Sequence, residues 1–229
     1  MLRILSIFPC LLSVTAAAPL PLGQGPAATR LDDTPARTTV DAFPGGEIQE
    51  PGEALPLATL RIDWLNNEPA PKEFEVEVKD KLKVITTTYR QGTTGITRTF
   101  LATPEMIFLH FVADQPGAIS FKATLSSPQA GTAVVRERNE LLWISTKEPA
   151  MKAYARVIPF ESDVETEGNS IILRGEGECM VIFSFTPLDD PGKPISGTWK
   201  RLATALDPGE EHPDPVKIWQ TILARGNAP

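Results

Sequence analysis

Residues 96–111, ITRTFLATPEMIFLHF, set two β-type runs on either side of a Thr-Pro break, and the second run is apolar at nearly every position. Pro104 has no N–H to give to a ladder and biases Thr103 toward an extended conformation, so the pair marks a corner between two strands. A strand over 106–112 that is apolar on both faces apart from His110 suits the middle of a layered β structure. The chain therefore has to build more than one layer around it.

The surrounding pattern agrees. From residue 57, LATLRIDWL clusters apolar residues, EFEVEV (73–78) alternates strictly, and KLKVITTTY continues with β-branched residues, so three strands follow in quick succession. A turn over 91–95 leads into a strand over 96–101. Further strands are expected over 118–125, 133–136, 141–145, 152–158, 170–173 and 179–185. Roughly twelve short strands with turn signals every 8 to 12 residues predict an all-β antiparallel sandwich, since a sheet that large folds over on itself. The 41% of hydrophobic residues is ample for a core, and the 16 Gly and 22 Pro fit a turn-rich class.

The ends read differently. Arg3, the apolar run 4–14 and the small residues Thr15 to Ala18 have the form of an export signal over 1–18, which predicts a secreted or periplasmic protein with no membrane anchor after cleavage. Residues 19–56 carry seven prolines and few β-branched or aromatic residues, and read as a Pro-rich disordered linker ahead of a sandwich domain over 57–187. The tail 188–229 predicts two short helices. Trp199, Leu202, Ala203 and Leu206 fall at helical spacing, and a second helix starts at Asp214-Pro215, carries Ile218, Trp219, Ile222 and Leu223 on one face, and stops at Gly226.

A formal charge of -7 and a pI near 5.0 exclude a nucleic-acid partner, which needs clustered Lys and Arg. With Cys10 in the presumed signal, Cys179 stands alone, so the fold has no internal disulfide to lean on. Its neighbours Met180 to Phe183 make it an inert core thiol.

Three segments together, PLATLRIDW (56–64), ITRTFLATPEMIFLHFVADQPGAISFKATLSSP (96–128) and MKAYARVIPFESDVETEGNSIILRGEGECMVIFSF (151–185), resemble the N-terminal domain of glycoside hydrolase family 95, chiefly α-L-fucosidases with some α-L-galactosidases. The block from Thr97-Arg98 to Pro128 agrees in spacing as well as residue type. Ala58-Thr59 stands where the family usually has Gly-Asp, and His110-Phe111 where it more often has Arg-Leu. The resemblance implies a many-stranded β super-sandwich without catalytic groups, the acid and base belonging to a following (α/α) barrel domain, so no catalytic residue is carried over. Its implied partners are carbohydrate or that barrel. Alternative readings are an active fucosidase-type hydrolase and a stand-alone carbohydrate-binding module.

Glu73, Glu75 and Glu77 meet the spacing of about 6.5 to 9.5 Å that inverting glycosidases need, but so does any alternating acidic strand, and a solvated face explains them. Glu161, Asp163, Glu165 and Glu167 lack the loop of a calcium site and read as a wet strand edge. Asp189 to Gly192 reads as a turn. His110 reads as a hydrogen-bonded core histidine, His212 lies in a Pro/Glu-rich loop, and the two have no metal-ligand spacing. Trp64, Trp143 and Trp199 are the candidate sugar platforms, with Trp219 a docking residue. No cofactor is implied.

Overall fold

The computed structural model describes residues 20–23, 27–44, 55–65, 72–79, 84–102, 107–136, 138–145 and 151–187. The export signal, the Pro104 corner and the two C-terminal helices lie outside the described residues. Within them every regular element is a strand, as the alternation predicts.

Two antiparallel sheets pack face to face. One has seven strands: β1 (Leu20–Gly23), β2 (Ala27–Asp33), β3 (Arg37–Pro44), β4 (Ala58–Trp64), β9 (Ile119–Ser126), β13 (Val164–Glu167) and β14 (Ser170–Glu176), in the order β1-β2-β3-β4-β9-β14-β13. The other has eight: β5 (Lys72–Lys79), β6 (Val84–Gln91), β7 (Thr94–Ala102), β8 (Ile107–Ala113), β10 (Gly131–Arg136), β11 (Glu140–Ser145), β12 (Met151–Pro159) and β15 (Glu178–Pro187), in the order β10-β11-β12-β15-β8-β7-β6-β5. The central place expected for 106–112 is met by β8, between β7 and β15. The last of the chain's changes of sheet is the tight β14–β15 corner, where Gly175 takes φ +73°, a left-handed conformation that glycine adopts without steric cost.

The N-terminal stretch departs from the sequence reading. Residues 19–56 were expected to form a disordered linker, yet β1, β2 and β3 occupy much of that range and extend the seven-stranded sheet from β4, with Thr38 opposite Ile62 and Val40 opposite Leu60. The prolines do not prevent this. Pro21 lies on the edge strand, Pro35 in the β2–β3 turn, and Pro44 at the last position of β3, places where a missing N–H costs little. Thr38, Val40 and Ala42 alternate inward and are fully buried.

Aromatic side chains dominate the middle of the interior. Trp64, Phe100, Phe111 and Phe121 meet edge to face across the two layers, with ring centroids 4.9 Å apart for Trp64–Phe111 and 5.9 Å for Phe111–Phe121. Alternation along each strand supplies these residues, because every second side chain points inward.

Removing residues 1–54 should strip β1 to β3 and leave β4 as a bare edge with an apolar inner face. We expect the shortened chain to aggregate on gel filtration where the full chain elutes as a discrete species. Equal solubility and equal thermal stability would show that the hairpin is not part of the sandwich.

Candidate functional site

Trp64, a predicted sugar platform, faces inward and is only 7% exposed. One face of its indole lies against the guanidinium of Arg98, 3.9 Å from the ring centroid, and the Tyr89 ring covers the guanidinium at 4.5 Å. Arg98 is completely buried, on a strand where Ile96, Arg98 and Phe100 share the inner parity. Its Nη1 donates to Asp33 Oδ1 at 2.9 Å and to the Thr34 carbonyl at 2.7 Å; its Nη2 donates to the Pro35 carbonyl at 3.1 Å and to the Tyr89 hydroxyl. Asp33 accepts further bonds from Thr38 Oγ1 at 2.5 Å and Thr87 Oγ1 at 2.6 Å, and Thr38 Oγ1 itself accepts from Trp64 Nε1 at 3.0 Å. The guanidinium of one sheet is thereby clamped to the β2–β3 hairpin of the other. A planar fork of fixed donors suits this task and an ammonium does not.

Trp143 is likewise buried, at 3% exposed, on the inner face of β11. Neither ring offers a face to a sugar, so the platform reading is withdrawn for Trp64 and Trp143, while Trp199 lies outside the described residues. An aromatic on an alternating strand has two possible faces, and parity with Leu60, Ile62 and Leu141 points both rings inward.

An open groove of about 390 Å³ runs over β6, β7 and the end of β8, lined among the described residues by Thr88, Arg90, Gly95, Thr97, Val112 and Asp114 with their neighbours. Asp114 Oδ1 accepts the Gly95 N–H at 2.9 Å, and Asp114 N–H donates to the Gly95 carbonyl at 3.0 Å. A Cβ at Gly95 would stand 2.9 Å from Asp114 Oδ2, so glycine keeps this junction closed. Arg90 Nη2 donates to the Thr93 carbonyl at 2.6 Å. Hydroxyls, a guanidinium and a carboxylate around Val112 can exchange hydrogen bonds with a polyhydroxylated ligand. Asp114 is the carboxylate of that lining.

None of the other described candidates lines the groove. His110 is on the outer face of β8, half-buried, with Nε2 2.7 Å from Glu178 Oε1; it is hydrogen-bonded as expected but not in the core. Glu165 and Glu167 lie on the exposed edge strand β13, near Arg174 and Lys122 respectively. Among Glu73, Glu75 and Glu77, the β5–β6 register sets Glu75 opposite Thr88 and Glu77 opposite Thr86. Burial pushes the Cys179 thiol well up, and Glu176 and Glu178 push the same way, so it stays protonated and inert. Glu176, which pattern reading passed over, is fully buried and accepts the backbone N–H of Ser162 at 2.5 Å and of Glu161 at 3.3 Å, pinning the turn after β12. Among the described residues, no group of three or more His, Cys, Asp and Glu side chains could hold a metal ion.

No protein-family model and no curated protein matches the chain. Among solved structures it is similar to "Putative kojibiose phosphorylase from human microbiome", with a TM-score of 0.49 and 10% sequence identity over 90% of this chain and 35% of that one. The chain thus corresponds to 35% of that protein's length.

Two outcomes follow from this geometry. Arg98→Met should cost about 3–5 kcal/mol in urea unfolding, because it leaves Asp33 buried without its cation. Adding Asp33→Asn should restore at least about 1 kcal/mol, since the two residues are directly coupled; strictly additive costs would refute the clamp.

The protein has two tyrosines, and both hydroxyls are raised above the ordinary value of 10.0: Tyr89 by burial, opposed by Arg98, and Tyr154 by burial and then by its hydrogen bond to Glu140. Below that value both states keep their protons and the stabilisation is complete; above it the unfolded chain ionises while the fold holds the protons, so stability falls as pH rises. Absorbance at 295 nm should show no phenolate until unfolding, then both together. A stepwise native titration near pH 10 would contradict the burial.

Proposed function

We propose that this chain is a noncatalytic β-sandwich domain of an exported, family 95-type glycoside hydrolase, and that its role is to brace a catalytic (α/α) barrel domain. The observation that carries this reading is the fate of the residues on which the family resemblance rests. Inside the sandwich Arg98 stacks on Trp64 and bonds Asp33, while Trp64 donates to Thr38, which is the behaviour of a scaffold motif and not of a substrate-facing one. Inverting hydrolysis uses two carboxyl groups about 6.5–9.5 Å apart with room for a water between them, whereas the described lining of the groove supplies Asp114. Fold alone does not assign an activity, so the test is chemical.

A second reading, a carbohydrate-binding module, is favoured by the groove itself, whose Thr88, Thr97, Arg90 and Asp114 complement sugar hydroxyls. The purified chain should leave p-nitrophenyl α-L-fucoside and α-L-galactoside unhydrolysed. Turnover that Asp114→Asn abolishes would overturn the noncatalytic reading. Binding on a glycan array that Arg90→Ala removes without loss of fold would favour the binding module, and a silent array favours scaffolding.

A further inference from the structure

Four strands end the two sheets among the described residues, β1 and β13 on one, β5 and β10 on the other. An edge strand leaves a row of backbone N–H and C=O groups unpaired, and proteins blunt such rows with short strands, charges, prolines or bulges. Three of these four edges are blunted in that way. β1 is four residues long, holds Pro21 and slips register between Pro21 and Gly23. β13 is also four residues long and exposes Glu165 and Glu167. β5 carries Lys72, Glu73, Glu75, Glu77 and Lys79 and slips register between Lys72 and Glu75.

The fourth edge, β10, is not blunted. Its six residues pair with β11 without a break in register, and Gly131 to Val135 include neither a charge nor a proline. Gly131 lets the strand lie close on its neighbour, because a Cβ there would stand 2.5 Å from the Trp143 ring and from the Ile144 carbonyl oxygen. This edge is open to water, with Gly131 and Thr132 exposed. Of the three large hydrophobic side chains exposed among the described residues, two are here on the outer face: Val134 at 37% and Ile144 at 38%. Ala133 and Val135, on the inner parity, pack against the core and are only partly buried.

We propose that β10 pairs antiparallel with β10 of a second copy of this chain across a twofold axis, joining two eight-stranded sheets into one. Opposed residues of an antiparallel pair point to the same face, so a twofold register brings like parity together, and a one-residue slip would turn the apolar inner series to solvent. Two registers meet this condition and keep most of the strand paired. One sets Val134 opposite Val134 of the second copy, Ala133 opposite Val135, and Thr132 opposite Arg136. The other sets Val135 opposite Gly131, which has no side chain to pack, and is the poorer fit. In the first, apolar residues meet on both faces, and Arg136, the one charged residue of the strand, falls opposite a threonine and not opposite itself. The strand is complementary to itself, as an isologous interface requires, and this selects a second copy as the occupant. The inference does not depend on the proposed function.

Sedimentation velocity of the full chain over a dilution series should show a monomer–dimer equilibrium. Val134→Lys sets two lysines opposite each other and should weaken the dimer roughly tenfold or more, and Val134→Glu should do the same. Mixing the two variants should restore it, because residue 134 meets its own counterpart. Cys179 is fully buried, so in a Cys10→Ser background an introduced thiol is the accessible one. There Val134→Cys should form a disulfide-linked dimer in air, and Thr132→Cys, about 14 Å along the strands from its counterpart, should not. If Val134→Lys also lowers the unfolding temperature, the cysteine pair decides. A chain that is monomeric at every concentration, a dimer that Val134→Lys leaves intact, or equal cross-linking by the two cysteines overturns the proposal.

Discussion

A guanidinium with no access to water dictates much of this architecture. Moving such a charge out of water costs several kcal/mol even after relaxation, so Arg98 is tolerated only where its partners are assembled around it. Its partners are Asp33, the Thr34 and Pro35 carbonyls, Tyr89 and Trp64, and Asp33 is held in turn by Thr38 and Thr87, so four strands and a turn contribute. Slipping β7 by one residue would turn Arg98 to the outer face and empty the Asp33 pocket, so the interaction fixes register and the mutual placement of the sheets more than it adds net stability. It also decides where the N-terminal hairpin must sit.

Much of the fold was legible because strand parity is visible in the letters. Residues 84–91 and 119–126 alternate as they bury, and the wet edge read from Glu165 and Glu167 is β13. The hairpin was not legible by composition, since seven prolines mask the inward series Thr38, Val40, Ala42. The signal that could have revealed it was Arg98 itself: an arginine between Ile96 and Phe100 at an inward position requires a buried carboxylate from elsewhere, and Asp33 is beyond any reach of local pattern. The tryptophans were misplaced for a related reason. Aromatic identity marks a side chain as a possible platform, but parity decides its exposure on a strand.

The eight-stranded sheet divides its outer face by the same logic. Towards the β6–β7 turn the positions are threonines with Arg90, Asp114 and the His110–Glu178 pair, and the groove lies there. Towards the other ends of those strands the positions turn to Val84, Leu101 and Phe108, and solvent is excluded. One sheet thus has a polar half that carries the groove and an apolar half that is buried.

Residues 27–44 belong to the sandwich because Arg98 holds them, and amide hydrogen exchange reads this directly. The account predicts that the peptide 37–43 is protected to the same degree as 119–126 in the native chain and that Arg98→Met releases the first before the second. Exchange of 37–43 at the rate of a free peptide in the native protein would contradict it.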